Sequence, residues 1–385
     1  MEKIEKMILC YAWTNTQIIN LANAVTHNFQ GEPADLLILD LKRIDHEFVE
    51  LVRRSGIFRS VLLLKPYTFP TEPNRLVAAF RVLVRPGAPM QYYRSTLHAL
   101  YGEEIYDWLL TSGYFAETLY ILRYFYAIHP QIRVAFVEEG MATYYRGKAS
   151  LCRSSENLSY VNRCKQWLFH RGFLRRAKRM ADTIYLYCPG IFHNQGWSVV
   201  KALPALSVDN PVYGPLIAPF AAWPEVAIYT KKEYYYIALP CGRNARADKR
   251  QNALIAAVCQ MAGNSGVVVK LHPSNLEDCA RPVVPLGADA VLDDGNYPLE
   301  AVLCHVDLAG KTVLADCSTL LMAPKCMLGK EPSVCFLYRL LEGDGNSLYD
   351  SGEKLAADLK ALLPPAKISI PASFEELSVF MNHGR

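Results

Sequence analysis

The chain has 385 residues, of which 51% are hydrophobic and 20% charged. That is ordinary globular usage at a length that predicts two domains, and it excludes a largely disordered or fibrous chain. The net charge of +4 is too small for the strong basic footprint expected of a nucleic-acid binder.

No run of about 20 residues is apolar enough to span a bilayer. The charged opening Met1-Glu2-Lys3-Ile4-Glu5-Lys6 lacks the apolar stretch and cleavage site of a signal peptide. A cytoplasmic protein is therefore expected. The eleven cysteines are dispersed and form no C-x-x-C pair, so they read as reduced thiols rather than a zinc site.

In chain order, Lys6–Tyr11 reads as a strand and Thr16 to Val25 as a helix with Ile18, Ile19, Leu21, Ala22 and Val25 on one face. Ala34–Asp40 is a second strand. Asp45 to Arg54 is a helix opened by an Asp cap. Ser60–Lys65 is a third strand. A Tyr-rich region around Leu109 and Tyr114 leads to a helix over Glu117–Ile128 and a strand over Arg133–Val137, which stops at Glu138. Strand–helix alternation of this kind predicts a parallel sheet with helices on both faces and ligands outside the carboxyl ends of its strands.

A basic segment follows, Arg163 to Arg179, interleaved with Trp167, Leu168, Phe169, Phe173 and Leu174. It reads either as a solvated face of a packed helix or as an amphipathic helix on an anionic membrane. Ala181–Tyr187 is a strand. Pro204, Pro211, Pro215, Pro219 and Pro224 then mark an interdomain linker. Alternation restarts with strands at Tyr234–Leu239, Gly266–Leu271, Ala290–Leu292 and Ser333–Phe336. Helices are expected at Ala253–Ala262, Leu299–Cys304, Leu320–Leu328, Lys354–Leu363 and Ser373–Met381. The expected fold is two facing Rossmann-like domains with parallel sheets and a cleft between them. Residues 1–222 form the first with its linker and residues 223–365 the second. Residues 366–385 form a terminal helix packing back on the first.

There is no G-x-G-x-x-G after a strand, no P-loop, no G-x-S-x-G elbow and no H-E-x-x-H. Three short constellations remain. Glu138-Glu139-Gly140 ends a strand; adjacent carboxylates repel, so one should carry a raised pKa and suit a general base. Val267 to Pro273 delivers Lys270 and His272 on one strand face, which suits a phosphate. Asp316-Cys317-Ser318-Thr319 precedes a helix whose N-terminus is a ready anion site. Each has a plain structural alternative: an acidic turn, a capping His, an ordinary N-cap. Asp293-Asp294-Gly295 reads as a turn. Together, a base in the first domain and phosphate-binding groups in the second suit transfer from a nucleotide-activated donor.

These motifs, in this order, resemble the D/E-D/E-G, HP and S-S/T motifs of bacterial sialyltransferases with the GT-B fold. Tyr297-Pro298-Leu299-Glu300 resembles their P-[FL]-E segment. Thr16-Gln17 after the first strand resembles the lipooligosaccharide group, glycosyltransferase family 52, with the polysialyltransferase family second. The chain departs in having Glu-Glu where many members have Asp, and Ser-Thr for Ser-Ser. The resemblance implies an inverting, metal-independent enzyme that moves sialic acid from CMP-sialic acid to a hydroxyl of a cell-surface glycan. It implies Glu139, beside Glu138, as the base and His272 as the group that binds the leaving phosphate. Ser318 and Thr319 would hold that phosphate, and Glu300 the ribose. Pro273 would shape its loop, and Lys270 would lie near the nucleotide. Gly242, Asn244 and Arg243 would approach the donor, and Tyr144, Tyr145 and Arg146 the acceptor. No cofactor is implied. The partners are a nucleotide sugar and a glycan, with membrane contact through Arg163–Arg179 and a homodimer both compatible. Two alternatives stay open: another cytidine-nucleotide GT-B transferase, such as a CMP-Kdo transferase or teichoic-acid-type polymerase, and a non-catalytic membrane-surface or glycan-binding protein.

Overall fold

Seven strands build the first sheet: β1 (Ile8–Ala12), β2 (Ala34–Leu39), β3 (Ser60–Leu64), β4 (Trp108–Thr111), β5 (Arg133–Val137), β6 (Ala181–Leu186) and β7 (Val199–Ala202). They run in the order β3-β2-β1-β4-β5-β6-β7, and every neighbouring pair is parallel. β1, β2 and β4 are buried at every position, as strands covered on both faces must be. The winding goes outward from β1 to β3, returns to β4 beside β1, and continues the other way. Such a reversal opens a crevice above the carboxyl ends of β1 and β4, where sheets of this kind bind ligands. The computed structural model describes residues 6–41, 44–67, 87–114, 116–140, 143–144, 172–193, 196–239, 245–272, 289–295, 297–316, 318–341 and 347–383.

The second sheet has six strands: β8 (Tyr234–Ile237), β9 (Val267–Lys270), β10 (Ala290–Asp293), β11 (Thr312–Ala315), β12 (Ser333–Phe336) and β13 (Ile368–Ser369). Its order, β10-β9-β8-β11-β12-β13, repeats the first sheet's winding, again all parallel. The reversal lies between β8 and β11, which pair Tyr234 with Thr312 and Ile237 with Ala315. Tyr236, Val269, Leu314 and Cys335 meet Leu254, Ile255 and Val258 of the Ala245–Ala262 helix in its core.

The chain divides into two compact units, Met1–Leu203 and Pro204–Arg385. The division falls ahead of the expected 222/223 boundary because the proline-rich stretch is not a free linker. Its Gly214–Ile217 and Pro224–Lys231 helices pack on the Leu299–Cys304 helix of the second unit. The terminal helix, Phe374–His383, packs on the second unit's core through Leu377 and Met381. The Tyr234 hydroxyl donates to the Met381 carbonyl at 2.7 Å. Leu320–Leu328, expected as one helix, is a 3-10 turn at Thr319–Leu321 followed by a four-residue helix, Ala323–Cys326. Pro324 explains the break: it lacks an N–H and disfavours helical backbone at the residue before it. Among the described residues, no helix is long and apolar enough to cross a membrane.

Candidate active site

The carboxyl end of β5 separates the two adjacent glutamates. Side chains alternate about an extended backbone, and here Glu138 turns inward and is buried while Glu139 is exposed. Glu138 accepts hydrogen bonds from the Tyr144 hydroxyl and from the Tyr187 N–H at 2.8 Å. Its carbonyl accepts from Asn20 Nδ2 at 2.8 Å, and Asn20 Oδ1 accepts from the Tyr187 hydroxyl at 2.9 Å. The network ties the start of the β5 exit loop to helix α1 (Asn15–Asn28) and to the end of β6. Burial pushes the Glu138 carboxyl up to about 7, against the lowering effect of the Tyr144 and Tyr187 hydrogen bonds. The raised pKa expected of this pair therefore falls on Glu138, and its cause is desolvation rather than repulsion by Glu139.

Glu139 is held by a side chain that the sequence pattern did not single out as a contact. Thr14 caps α1, accepting from Gln17 N at 3.3 Å. Gln17, fully buried in the first turn, accepts from Trp13 N at 2.8 Å through Oε1 and donates to Glu139 Oε1 at 2.7 Å through Nε2. The Glu139 N–H donates to Thr143 Oγ1 at 3.2 Å, and Thr143 N to the Gly140 carbonyl at 2.9 Å. Gly140 has φ of 153°, a region side-chain-bearing residues rarely adopt. The result is an exposed carboxylate at a strand's ligand end, fixed from below by an amide and set in a glycine-dependent turn. A carboxylate so placed can take a proton from a hydroxyl.

In the second unit, Lys270 closes β9 and is buried. Its Nζ lies 3.1 Å from Asp293 Oδ1, donates to the Gly295 carbonyl at 2.5 Å, and sits 4.2 Å from the centre of the Tyr297 ring. Asp293 also accepts from the Tyr229 hydroxyl at 2.6 Å, from the Tyr297 hydroxyl and from Gly295 N at 2.9 Å. Burial lowers the Lys270 pKa, and Asp293 opposes that shift. This ammonium therefore locks the turn after β10, which leaves it poorly disposed to share a phosphate with His272. Asp293 ends β10, the Gly295 N–H turns back to its carboxylate at 2.9 Å, and a Cβ on Gly295 would meet the Tyr297 ring at 2.2 Å. His272, two residues past β9, is exposed.

Glu300 is buried in the first turn of the Leu299–Cys304 helix. Lys330 Nζ donates to the Leu303, Cys304 and Val306 carbonyls at 2.7 Å each, fixing the helix's other end. Ser318 accepts from Leu320 N at 3.3 Å through its hydroxyl and from Leu321 N at 3.1 Å through its carbonyl. It thus caps a short 3-10 turn, not the long helix on which an N-terminal anion site was expected. Asp316, at the end of β11, is fully buried, and burial pushes its carboxyl up to about 7. The Tyr236 hydroxyl is near enough to lower that value, but among the described residues neither Asp316 oxygen finds a hydrogen bond of good geometry.

The structure brings Glu138, Glu139 and Tyr144 together at one sheet end. Lys270 ends β9, and His272, Glu300 and Ser318 follow strands of the other sheet. Tyr144 faces inward to Glu138 rather than out toward an acceptor. Pro273, Gly242, Arg243, Asn244, Tyr145, Arg146 and the side chain of Thr319 lie outside the described residues, as do residues 163–171 of the basic segment. In its described part, Arg175, Arg176 and Arg179 are exposed on a helix over 172–180. Arg176 donates to the Tyr126 hydroxyl at 2.8 Å. Asn20, Thr143, Tyr187 and Lys330 had no signal as site residues, and Gln17 entered only through the Thr16-Gln17 resemblance, with no role attached.

No protein-family model and no curated protein matches the chain. Solved structures do match in fold. An Arabidopsis thaliana enzyme, UGT89C1, complexed with UDP-L-rhamnose, is 12% identical, with 99% of this chain and 90% of that chain covered at a TM-score of 0.55. A UDP-glucosyltransferase from Polygonum tinctorium that glucosylates indoxyl is 11% identical, with 99% and 90% covered at 0.54. A UDP-GlcNAc 2-epimerase from Neisseria meningitidis, bound to UDP-GlcNAc, is 13% identical, with 98% and 90% covered at 0.50. The likeness establishes the GT-B fold. Because that fold serves both transferases and an epimerase here, the reaction must be argued from the site.

Proposed function

We propose that the chain is an inverting, metal-independent sialyltransferase that moves sialic acid from CMP-sialic acid onto a hydroxyl of a cell-surface glycan. One observation carries the reading. Of the two glutamates in the first motif, Glu139 is the exposed one, and Gln17 holds it at the ligand end of β5. The GT-B fold and the order of the motifs support it further. Glu139 removes the proton of the acceptor hydroxyl. The oxygen attacks the anomeric carbon, and the bond from that carbon to the CMP phosphate oxygen breaks, its electron pair leaving with CMP. Attack opposite the departing phosphate inverts the centre. His272 and Ser318 meet the charge that develops on the phosphate, the electrostatic task of the step. Glu300 accepts from the ribose hydroxyls. Peripheral membrane contact through the basic segment belongs to the same proposal.

The neighbours' UDP sugars make the donor the first thing to test. A panel of CMP-sialic acid, CMP-Kdo, CDP-glycerol, UDP-glucose and UDP-GlcNAc is assayed for glycan product. Turnover from CMP-sialic acid is expected, with Glu139→Gln and His272→Ala each slower by about a hundredfold or more. Turnover from a UDP sugar alone would overturn the donor. Wild-type rates in Glu139→Gln would remove the base.

A further inference from the structure

An aromatic surface stands at the ligand end of the second sheet, and the steps above do not use it. Trp223 lies between the 3-10 turn Ala218–Ala222 and the Pro224–Lys231 helix. That helix ends just ahead of β8 and so runs back along the sheet. Lys311, the residue before β11, marks its far end: Nζ donates to the Thr230 and Lys232 carbonyls at 2.7 and 2.8 Å. Trp223, at the helix's other end, therefore lies toward the carboxyl ends of the strands. A ring contact agrees with that placement. Tyr297 meets Trp223 edge to face with centroids 5.7 Å apart, and the Tyr297 hydroxyl donates to Asp293, the last residue of β10.

The backbone holds the indole in place. Pro224 drives the residue before it into extended backbone, and Trp223 has φ of −72° and ψ of 139°. Its N–H donates to the Phe220 carbonyl at 3.0 Å, and its carbonyl accepts from Val226 N at 3.1 Å. Phe220 is fully buried, and its ring backs the indole with centroids 4.3 Å apart. Trp223 itself is half-buried, so part of a large aromatic ring stays open to solvent on a rigid support. The neighbouring helix points to what covers it. Pro224–Lys231 packs on Leu299–Cys304, whose first turn carries Glu300, the residue assigned above to the ribose hydroxyls. Tyr297 joins the two: its ring touches Trp223, and its chain runs through Pro298 and Leu299 into Glu300. The base is bonded directly to the ribose, and a flat base stacks on an indole ring through its π face.

We propose that the Trp223 indole, backed by Phe220 and braced by Tyr297, is the face on which the pyrimidine base of the donor stacks. It rests on the reading that the second unit takes a cytidine nucleotide through Glu300.

The test uses the full chain with CMP and UMP as probes, measuring affinity by calorimetry and indole emission by fluorescence titration. Wild type should bind CMP, with its emission falling as the base covers Trp223. Trp223→Leu should weaken CMP about tenfold or more, the loss of one base–aromatic stack. Trp223→Phe keeps a ring and should bind CMP more tightly than Trp223→Leu, without the fall in emission. Circular dichroism checks that both variants are folded. Unchanged CMP affinity in Trp223→Leu, or an undiminished fall in emission in Trp223→Phe, overturns the proposal. So does an equal loss of affinity in the two variants, which would make Trp223 a packing partner of Phe220. Binding of UMP alone, weakened in Trp223→Leu, sinks the cytidine donor and leaves the stacking face standing. Binding of neither nucleotide by wild type overturns both.

Discussion

Each unit carries a buried carboxyl just past a strand near its sheet's ligand end, and the two are supported very differently. Glu138 follows β5 and accepts two hydrogen bonds, one from a hydroxyl and one from a backbone N–H. Asp316 follows β11 and, among the described residues, has only the nearby Tyr236 hydroxyl. Both are pushed up to about 7 by burial. The contrast teaches that burial sets the direction of a shift, while the partners decide what ionisation costs the fold. In the first unit the buried carboxyl is a joint among three elements. In the second that structural task belongs to Lys270 and Asp293, and Asp316 stands outside it.

The largest expected effect comes from breaking the second unit's joint. Lys270→Met removes one partner of a buried pair and strands Asp293. Removal of one partner from such a pair typically costs about 3–5 kcal/mol. Asp293 keeps two tyrosine hydroxyls and the Gly295 N–H, so the lower end is expected. Urea denaturation followed by circular dichroism reads it. A loss below about 1 kcal/mol would mean that the pair does not organise the turn after β10.

The next effect separates the two carboxyls by pH. For both, the folded pKa lies above the ordinary values of 3.8 for Asp and 4.5 for Glu. The folded state then holds protons that the unfolded chain has released. Stability is full below about pH 4 and falls as pH rises through about 7. Asp316→Asn removes that loss for its site, and at pH 8 it should stabilise the protein by roughly 2–3 kcal/mol while changing little at pH 4. Glu138→Gln should change less at pH 8. Its rise to about 7 already includes its two hydrogen bonds and starts from 4.5 rather than 3.8, and both bonds end on one oxygen, Oε2, which an amide oxygen can replace. Equal gains in both variants would erase the distinction.

The sequence reveals the fold well wherever burial writes itself into a local run. Arg133–Val137, Ser333–Phe336 and Leu299–Cys304 have the expected ends, and Asp45 caps the His46–Ser55 helix through Glu47 N and Phe48 N. It conceals β4, the strand beside which the winding reverses, because four residues, Trp108–Thr111, leave too short a pattern inside a Tyr-rich stretch. It conceals β7 because an edge strand that is largely exposed shows no apolar run. For the site, alternation establishes that Glu138 and Glu139 face opposite ways but not which one is buried. That depends on Asn20, Tyr144 and Tyr187, two of them far away in sequence. Lys270 looked like a phosphate ligand for the same reason: its partner Asp293 comes from another strand, and strand pairing is not written locally.

The smallest effect tests whether the amide under Glu139 matters to chemistry or only to packing. Gln17→Ala removes the donor to Glu139 and leaves Trp13 N without its acceptor. The stability loss should be about 1–3 kcal/mol, the cost of stranding a buried N–H. If the amide aims the base, kcat should fall about tenfold, because a base must lie within hydrogen-bond reach of the proton it takes. The KM for the donor should not move, since in the proposed reaction Glu139 meets the acceptor hydroxyl and not the nucleotide. A fall in stability with kcat intact would make Gln17 a cap of α1 and nothing more. A fall in kcat beyond what the stability loss explains would make it the residue that converts an acidic turn into a catalytic one, a distinction that no reading of Glu138-Glu139-Gly140 alone can draw.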